Sequence, residues 1–290
     1  MSLPKFEYLA PSSLAEACSL LAKHQGKARV LAGGTDLVPQ MKKRAPTTPQ
    51  YVIGLKNVPD LDYIEFTRDK GLRVGALATL ETLLNSPVIK TNYPVLAEAI
   101  GRMATVQVRN LATLGGNLCN ASPAADSGPP LLVLDAVMKL TGPRGERTVP
   151  LEAFFKCPGE CTLEPGEILT EVQVAPPPAH SGTVFIKLSR TFVDLSQVCA
   201  AALVVAKNGT CQEARIALGA VAPTPMRAHK AEAVVAGKKL TQALLEEAGV
   251  TASTEARPIS DVRSSAEYRV EMVKVLTRNA LSQAMERTKE

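Results

Sequence analysis

The sequence predicts an α+β fold in two parts joined by a proline-rich linker. Three observations carry this. Short apolar runs such as "ARVLA" and "QYVIGL" alternate with helical repeats near the start, and further strands follow with antiparallel turn signals. Two long apolar runs meet at Asn208-Gly209, the strongest short hairpin signal. Between the two parts, "APPPAHSG" (Ala175 to Gly182) is too rich in proline to continue a strand or helix. The expected division is 1–176, with subdomains of about 1–55 and 56–176, followed by 182–290.

In chain order, Ser12 or Ser13 caps a helix whose apolar residues Leu14, Ala17, Leu20 and Leu21 recur at helical spacing, and Gly26 stops it. "ARVLA" is a short buried strand. "DLVPQMKK" is a helical turn with Pro39 near its start, where proline is tolerated. "QYVIGL" is a strand and closes a small β-α-β-like unit. "DYIEF" and "LRVGALATL" are strands about a turn at "TRDKG". "TLETLLNS" and "NYPVLAEAIGRMA" are amphipathic helices. "VRNLATLGGNL" reads as extended and leads into a polar loop, from which Ser122-Pro123 opens a helix. "LLVLDAVMKLTGP" and "EILTEVQV" are strands or buried segments. After the linker and the hairpin come three helical patterns: "TPMRAHKAEAVVAG", "TQALLEEAGVTAS" and "SSAEYRVEMVKVLTRNALSQAMERT".

The 290 residues are 46% hydrophobic and 21% charged, so the chain can build real cores. The formal charge of +5 is spread thinly, and Lys42-Lys43-Arg44 is the only basic run, either a solvated helix end or a nucleic-acid patch. Aromatic residues are only 4% and tryptophan is absent, which argues against a platform for stacked bases. The start carries no secretory pattern and no apolar run reaches spanning length, so a cytoplasmic protein is expected. Six scattered cysteines (Cys18, Cys119, Cys157, Cys161, Cys199 and Cys211) read as reduced thiols. Cys157 and Cys161 form "CPGEC" without a second pair beside it, and His24, His180 and His229 are isolated, so no metal site is expected.

Chemistry concentrates in two glycine loops. "VLAGGTDLVPQMK" and "ATLGGNLCNASPAADS" each place Gly-Gly after an apolar run, with hydroxyl and acidic residues close by. Glycine lets the backbone approach a ligand, and successive N–H groups then make an anion-binding nest. A helix start adds its own unpaired N–H groups. Neither G-x-x-x-x-G-K-[ST] nor G-x-G-x-x-G is present, which sets aside a P-loop nucleotidase and a Rossmann dinucleotide fold. Each loop alone is also consistent with a plain turn. Together they suit one pyrophosphate held from two sides. Asp126 then either takes a ribose or ribityl hydroxyl or complements a helix dipole.

These loops resemble the two flavin-binding motifs of the medium subunit of molybdenum hydroxylases, the xanthine dehydrogenase and carbon monoxide dehydrogenase group. "IALGAVAPTPMRA" and "RSSAEYRVEM" are similar to that family's C-terminal domain, so the resemblance spans nearly the whole chain. It implies a PCMH-type FAD-binding region of two α/β subdomains, then a domain of small antiparallel sheet plus helices. It also implies non-covalent FAD. Val30, Leu31, Ala32, Gly33, Gly34, Thr35, Asp36 and Leu37 match the first pyrophosphate loop. Thr113, Leu114, Gly115, Gly116 and Asn117 match the second, with Ser122 at the turn beyond it and Asp126 at an acidic FAD contact. Leu169, Lys187, Met103 and Phe185 fall where family members touch the isoalloxazine. By themselves Leu169, Met103 and Phe185 read as ordinary core, and Lys187 as a strand end.

The resemblance implies one subunit of three. A large subunit carries molybdopterin, a small subunit carries [2Fe–2S] clusters, and this chain's FAD passes their electrons to an acceptor, in a dimer of heterotrimers. Lys187 would place positive charge beside the flavin. Some relatives insert a cysteine-bearing loop for a further cluster after the second Gly-Gly. Here that stretch has no insertion, so no cluster is expected. The rival readings are a free-standing FAD-dependent oxidoreductase and a flavin-free scaffold subunit. Substrate and terminal acceptor (NAD, ferredoxin, quinone or oxygen) stay open.

Overall fold

The structure is a computed structural model that describes residues 2–46 and 48–288. It begins with β1 (Glu7–Leu9), α1 (Leu14–Lys23), β2 (Ala28–Leu31), α2 (Leu37–Lys42) and β3 (Tyr51–Gly54). The strands form an all-parallel sheet ordered β1-β3-β2, with Glu7 opposite Tyr51 and Ala28 on the other side of the same residue. Ser13 caps α1 by accepting the Glu16 N–H at 3.2 Å, while Glu16 Oε2 accepts the Ser12 N–H at 2.8 Å. Both serines that the sequence offers as caps are thus engaged at the helix start. Strand β1 is not anticipated from the sequence; its three residues are too few to show a period.

The next part holds β4 (Ile64–Thr67), β5 (Gly71–Gly75), α3 (Leu80–Asn85), α4 (Pro87–Asn92), α5 (Pro94–Gly101), α6 (Val106–Arg109), α7 (Leu114–Cys119) and α8 (Gly128–Val133). It continues through β6 (Val137–Gly142), β7 (Gly145–Pro150), α9 (Leu151–Phe154), β8 (Phe155–Cys157), β9 (Glu160–Cys161) and β10 (Ile168–Val174). An antiparallel sheet ordered β4-β5-β10-β6-β7 carries the helices.

Three expectations change here. "VRNLATLGGNL" is not extended: Thr105 Oγ1 accepts the Val108 N–H at 3.4 Å and Thr113 Oγ1 accepts the Gly116 N–H at 3.1 Å, so each threonine opens a short helix. Ser122-Pro123 opens a turn rather than a helix. The helix begins instead at Gly128, with Pro129 and Pro130 in its first turn. The run after it splits: "LLV" ends α8, Asp135 takes a left-handed φ of 50°, and the strand starts at Val137.

Beyond the linker, β11 (Ser181–Leu188), β12 (Val198–Lys207), β13 (Thr210–Gly219) and β14 (Met226–Arg227) form an antiparallel sheet in sequence order. It is followed by α10 (His229–Val235), α11 (Gln242–Glu255) and α12 (Ala266–Glu286). Asn208 (φ 51°) and Gly209 (φ 70°) make the expected turn between β12 and β13, with Lys207 opposite Thr210. Strand β12 reads as a continuous apolar run because both its faces are covered. Cys199, Ala201 and Leu203 pack into the core of the preceding part, while Val198, Ala200, Ala202 and Val204 pack beneath the C-terminal helices. The core therefore runs across the linker.

Candidate functional site

The two glycine loops lie against each other. A Cβ on Gly33 would sit 1.8 Å from the Leu111 carbonyl oxygen, and one on Gly116 would sit 3.8 Å from Ala32 Cβ. Only glycine permits the first approach. Gly34 has φ +72°, a left-handed conformation that reverses the chain into α2. Among the described residues, no protein acceptor takes the N–H of Gly33, Gly34 or Thr35. Three consecutive donors are therefore free at the end of a parallel strand, which is the setting of an anion nest.

The second loop works differently from the expected nest. The N–H groups of Leu114 and Gly115 donate to the carbonyls of Ala78 and Ala76, each at 3.0 Å, and that of Asn117 to Thr113 O at 3.0 Å. Gly116 donates to the Thr113 hydroxyl. Here glycine serves close approach: a Cβ on Gly115 would lie 2.7 Å from Ala76 Cβ. This seats α7 on the sheet. Ala76 in turn donates to Thr170 O at 2.9 Å, and Leu169, beside Thr170 at the β10 bulge, is buried in the same core as Leu114 of the second loop.

A hydrogen bond from Ser127 Oγ to Asn117 Oδ1 at 2.6 Å leads from this loop to Asp126. Asp126 and Lys187 form a buried ion pair at 2.7 Å, their side chains 4% and 1% exposed. Ser196 Oγ donates to the other Asp126 oxygen at 2.5 Å, and Lys187 also donates to Arg102 O at 2.8 Å. Burial pushes the Asp126 carboxyl upward, against the pull of Lys187 and Ser196. Asp126 thus matches the charge that Lys187 brings to this region. The Arg102 guanidinium lies over the Phe192 ring at 5.0 Å, with its Nε buried and unpaired.

Met103, next to Arg102, is buried, and its carbonyl accepts from Arg109 at 2.9 Å. Phe185, two residues before Lys187 on β11, is buried and donates its N–H to Glu98 at 3.0 Å. Val30, Leu31 and Leu37 are half-buried at the base of the first loop, Asp36 is exposed, and Ser122 is half-buried and caps the Ala124 N–H at 3.3 Å. The sequence-predicted residues thus fall into a glycine cradle and a buried Asp126–Lys187 pair, joined through Asn117 and Ser127. Sequence reasoning missed Ser196, Arg102 and Ala76. None lies in a motif; each is placed by tertiary contact alone.

This architecture is that of the FAD-binding subunits of molybdopterin dehydrogenases. Residues 4–177 match the family described as the FAD binding domain in molybdopterin dehydrogenase, and residues 183–284 match the CO dehydrogenase flavoprotein C-terminal domain. The chain belongs to this family of FAD-binding medium subunits of oxidoreductase complexes. It is 36% identical over 286 residues to the carbon monoxide dehydrogenase medium chain of Afipia carboxidovorans, covering 98% of each chain. It is 34% identical over 280 residues to a putative xanthine dehydrogenase FAD-binding subunit of Escherichia coli K12, covering 96% of this chain and 95% of that one. A solved chain of carbon monoxide dehydrogenase from Hydrogenophaga pseudoflava superposes with a TM-score of 0.96 at 35% identity, covering all of both chains.

Proposed function

We propose that the glycine cradle holds the FAD pyrophosphate and that the residues around Asp126 and Lys187 hold its flavin end. The observation that carries this is the contact between the two loops, with three unpaired N–H donors on one of them. Gly33, Gly34 and Thr35 would donate to the anion. The second loop, seated by Gly115, contributes a close backbone wall rather than free donors. Leu169, Met103 and Phe185 would supply apolar contact. Asp126, held by Lys187 and Ser196, is a fixed acceptor for a hydroxyl or ring N–H. FAD, when bound, supplies the exchange between two-electron and one-electron redox steps. The chain's own part is to position the cofactor, exclude water with buried apolar walls, and keep the local charge balanced.

In this reading the chain is the FAD-carrying electron-transfer subunit of a cytoplasmic molybdopterin hydroxylase or dehydrogenase. Electrons arrive from the [2Fe–2S] clusters of a small subunit and leave to an external acceptor, and a large subunit carries molybdopterin. The complex is a dimer of heterotrimers. The division at 1–176 and 182–290 is one of function, since the core is shared across it. Phe192, Val193 and Leu195 between β11 and β12 and Ile259 and Val262 between α11 and α12 are exposed, and Gln197 ties the two loops by donating to Arg263 O at 2.7 Å. Apolar groups exposed in this way suit coverage by partner subunits. The test is to saturate the chain with FAD, desalt it, and quantify released FAD, alone and in the complex isolated from its source. One FAD per chain supports the reading. Flavin absent from the complex as well would overturn it.

A further inference from the structure

Two thiols meet outside the flavin cradle. Cys119 ends α7, the helix that opens with the second glycine loop. Cys161 ends β9, and its Sγ lies 4.0 Å from the Cys119 carbonyl oxygen. The two cysteines are therefore in contact where α7 ends. Beside them, the Gly159 N–H donates to Ala121 O at 3.1 Å and holds the β8–β9 hairpin against the end of α7. Backbone on both sides thus frames the contact.

The pair differs from the remaining cysteines. Cys18, Cys199 and Cys211 are buried, whereas Cys119, Cys157 and Cys161 are partly exposed. The Cys157 thiol is pushed up, by burial and then by Glu160, which lies opposite it in the hairpin. Cys161 is drawn down to about 7, first by the hydrogen bond from Cys119 and, against burial, by the backbone near Leu163 and the charges of Lys156 and Arg29. Cys119 is held well above the ordinary thiol range by the same hydrogen bond. Two partly exposed cysteines in contact, the Cys161 thiol the more acidic, are the arrangement of a reactive dithiol rather than of inert core thiols.

We propose that Cys119 and Cys161 are a dithiol–disulfide couple, a modification site at which hydrogen peroxide converts the two thiols into one disulfide. The Cys161 thiolate attacks one peroxide oxygen, the O–O bond breaks, and a sulfenic acid forms with release of hydroxide. The Cys119 sulfur then attacks the Cys161 sulfur. The S–O bond breaks, the S–S bond forms, and the Cys119 proton leaves with the hydroxide as water. In sum, two thiols are oxidised, one peroxide is reduced, and two waters form. The product staples the helix that carries the second glycine loop to the 155–161 hairpin, fixing the wall of the cradle. The inference does not depend on what the cradle binds.

The experiment treats the intact protein, with its cofactor and partners, with stoichiometric hydrogen peroxide, alkylates the remaining thiols and maps the peptides by mass. The expected result is a peptide pair linked through Cys119 and Cys161, released by dithiothreitol. It should be absent in Cys161→Ser and retained in Cys157→Ser, and in the Cys119→Ser variant Cys161 should be trapped as sulfenic acid by dimedone. Mapping of the unmodified chain decides even if a variant folds poorly. Cys157 oxidised first, or Cys161 driven to sulfinic acid without any 119–161 link, would overturn the proposal.

Discussion

Gly33 approaches Leu111 so closely that a Cβ on Gly33 would stand 1.8 Å from the Leu111 carbonyl oxygen. The obstacle is backbone, so no side-chain rotation relieves it. Gly33→Ala must push the loops apart by roughly 1–2 Å to restore ordinary contact. That separates the free N–H donors from the opposite wall. FAD affinity is expected to fall roughly tenfold to hundredfold, equivalent to about 1.4–2.8 kcal/mol. Quenching of flavin fluorescence on titration measures it, and wild-type affinity in the variant would rule out a two-loop cradle.

Gly116→Ala is the informative contrast. Its Cβ would lie 2.9 Å from Thr113 Oγ1, a side-chain atom that can rotate away. The rotation sacrifices the cap on the Gly116 N–H, worth about 1 kcal/mol. This variant should lose stability, seen as a lower urea midpoint, while keeping FAD affinity closer to wild type than Gly33→Ala. The reverse order of affinities would place the ligand against the second loop alone.

The β12–β13 hairpin could be read because Asn208-Gly209 supplies two left-handed residues between long apolar runs. The break at residues 175–180 was legible because prolines exclude both regular structures, but the last two residues of the expected linker, Ser181 and Gly182, pair with Val205 and Val204 as the start of β11. Helix α7 was not: six residues including two glycines show neither period nor propensity, and only Thr113 marks its start. Both glycine loops stood out as backbone-approach sites. Their different work was hidden, since free donors in one and a packed seat in the other depend on Leu111 and Ala76, which no local pattern links to them. Lys187 likewise read as a strand end until the fold placed Asp126 against it.

That buried pair gives a stability prediction. Lys187→Met removes the cation and leaves Asp126 buried with Ser196 as its remaining side-chain donor. Breaking one side of such a pair costs about 3–5 kcal/mol. Adding Asp126→Asn removes the stranded charge while keeping an oxygen for Ser196, so the double variant should recover part of the loss. Chemical denaturation of the three proteins tests this. A Lys187→Met loss below about 1 kcal/mol would mean that solvent reaches the pair.

His229 ties the two parts of the chain in a pH-dependent way. Its Nε2 lies 2.7 Å from Glu152, before the linker, and its Nδ1 lies 3.2 Å from Glu232, after it. Arg227 also faces the group, bound to Glu232 and, at 2.8 Å, to Asp135. The hydrogen bond to Glu152 raises the His229 pKa above its usual 6.5, and the charges of Glu152 and Glu232 add to this against partial burial and Arg227. A base whose folded pKa is raised stabilises the fold fully below its unfolded pKa, and that contribution fades as pH rises through the folded value. The His229–Glu152 pair is more than half exposed on both sides, so solvent screening keeps the gain under about 1 kcal/mol. Wild type should therefore exceed His229→Gln in stability at pH 5.5, with the gap closing by pH 9. Urea midpoints at the two pH values measure the gap, and a difference independent of pH would show that His229 holds the two parts together by packing rather than charge.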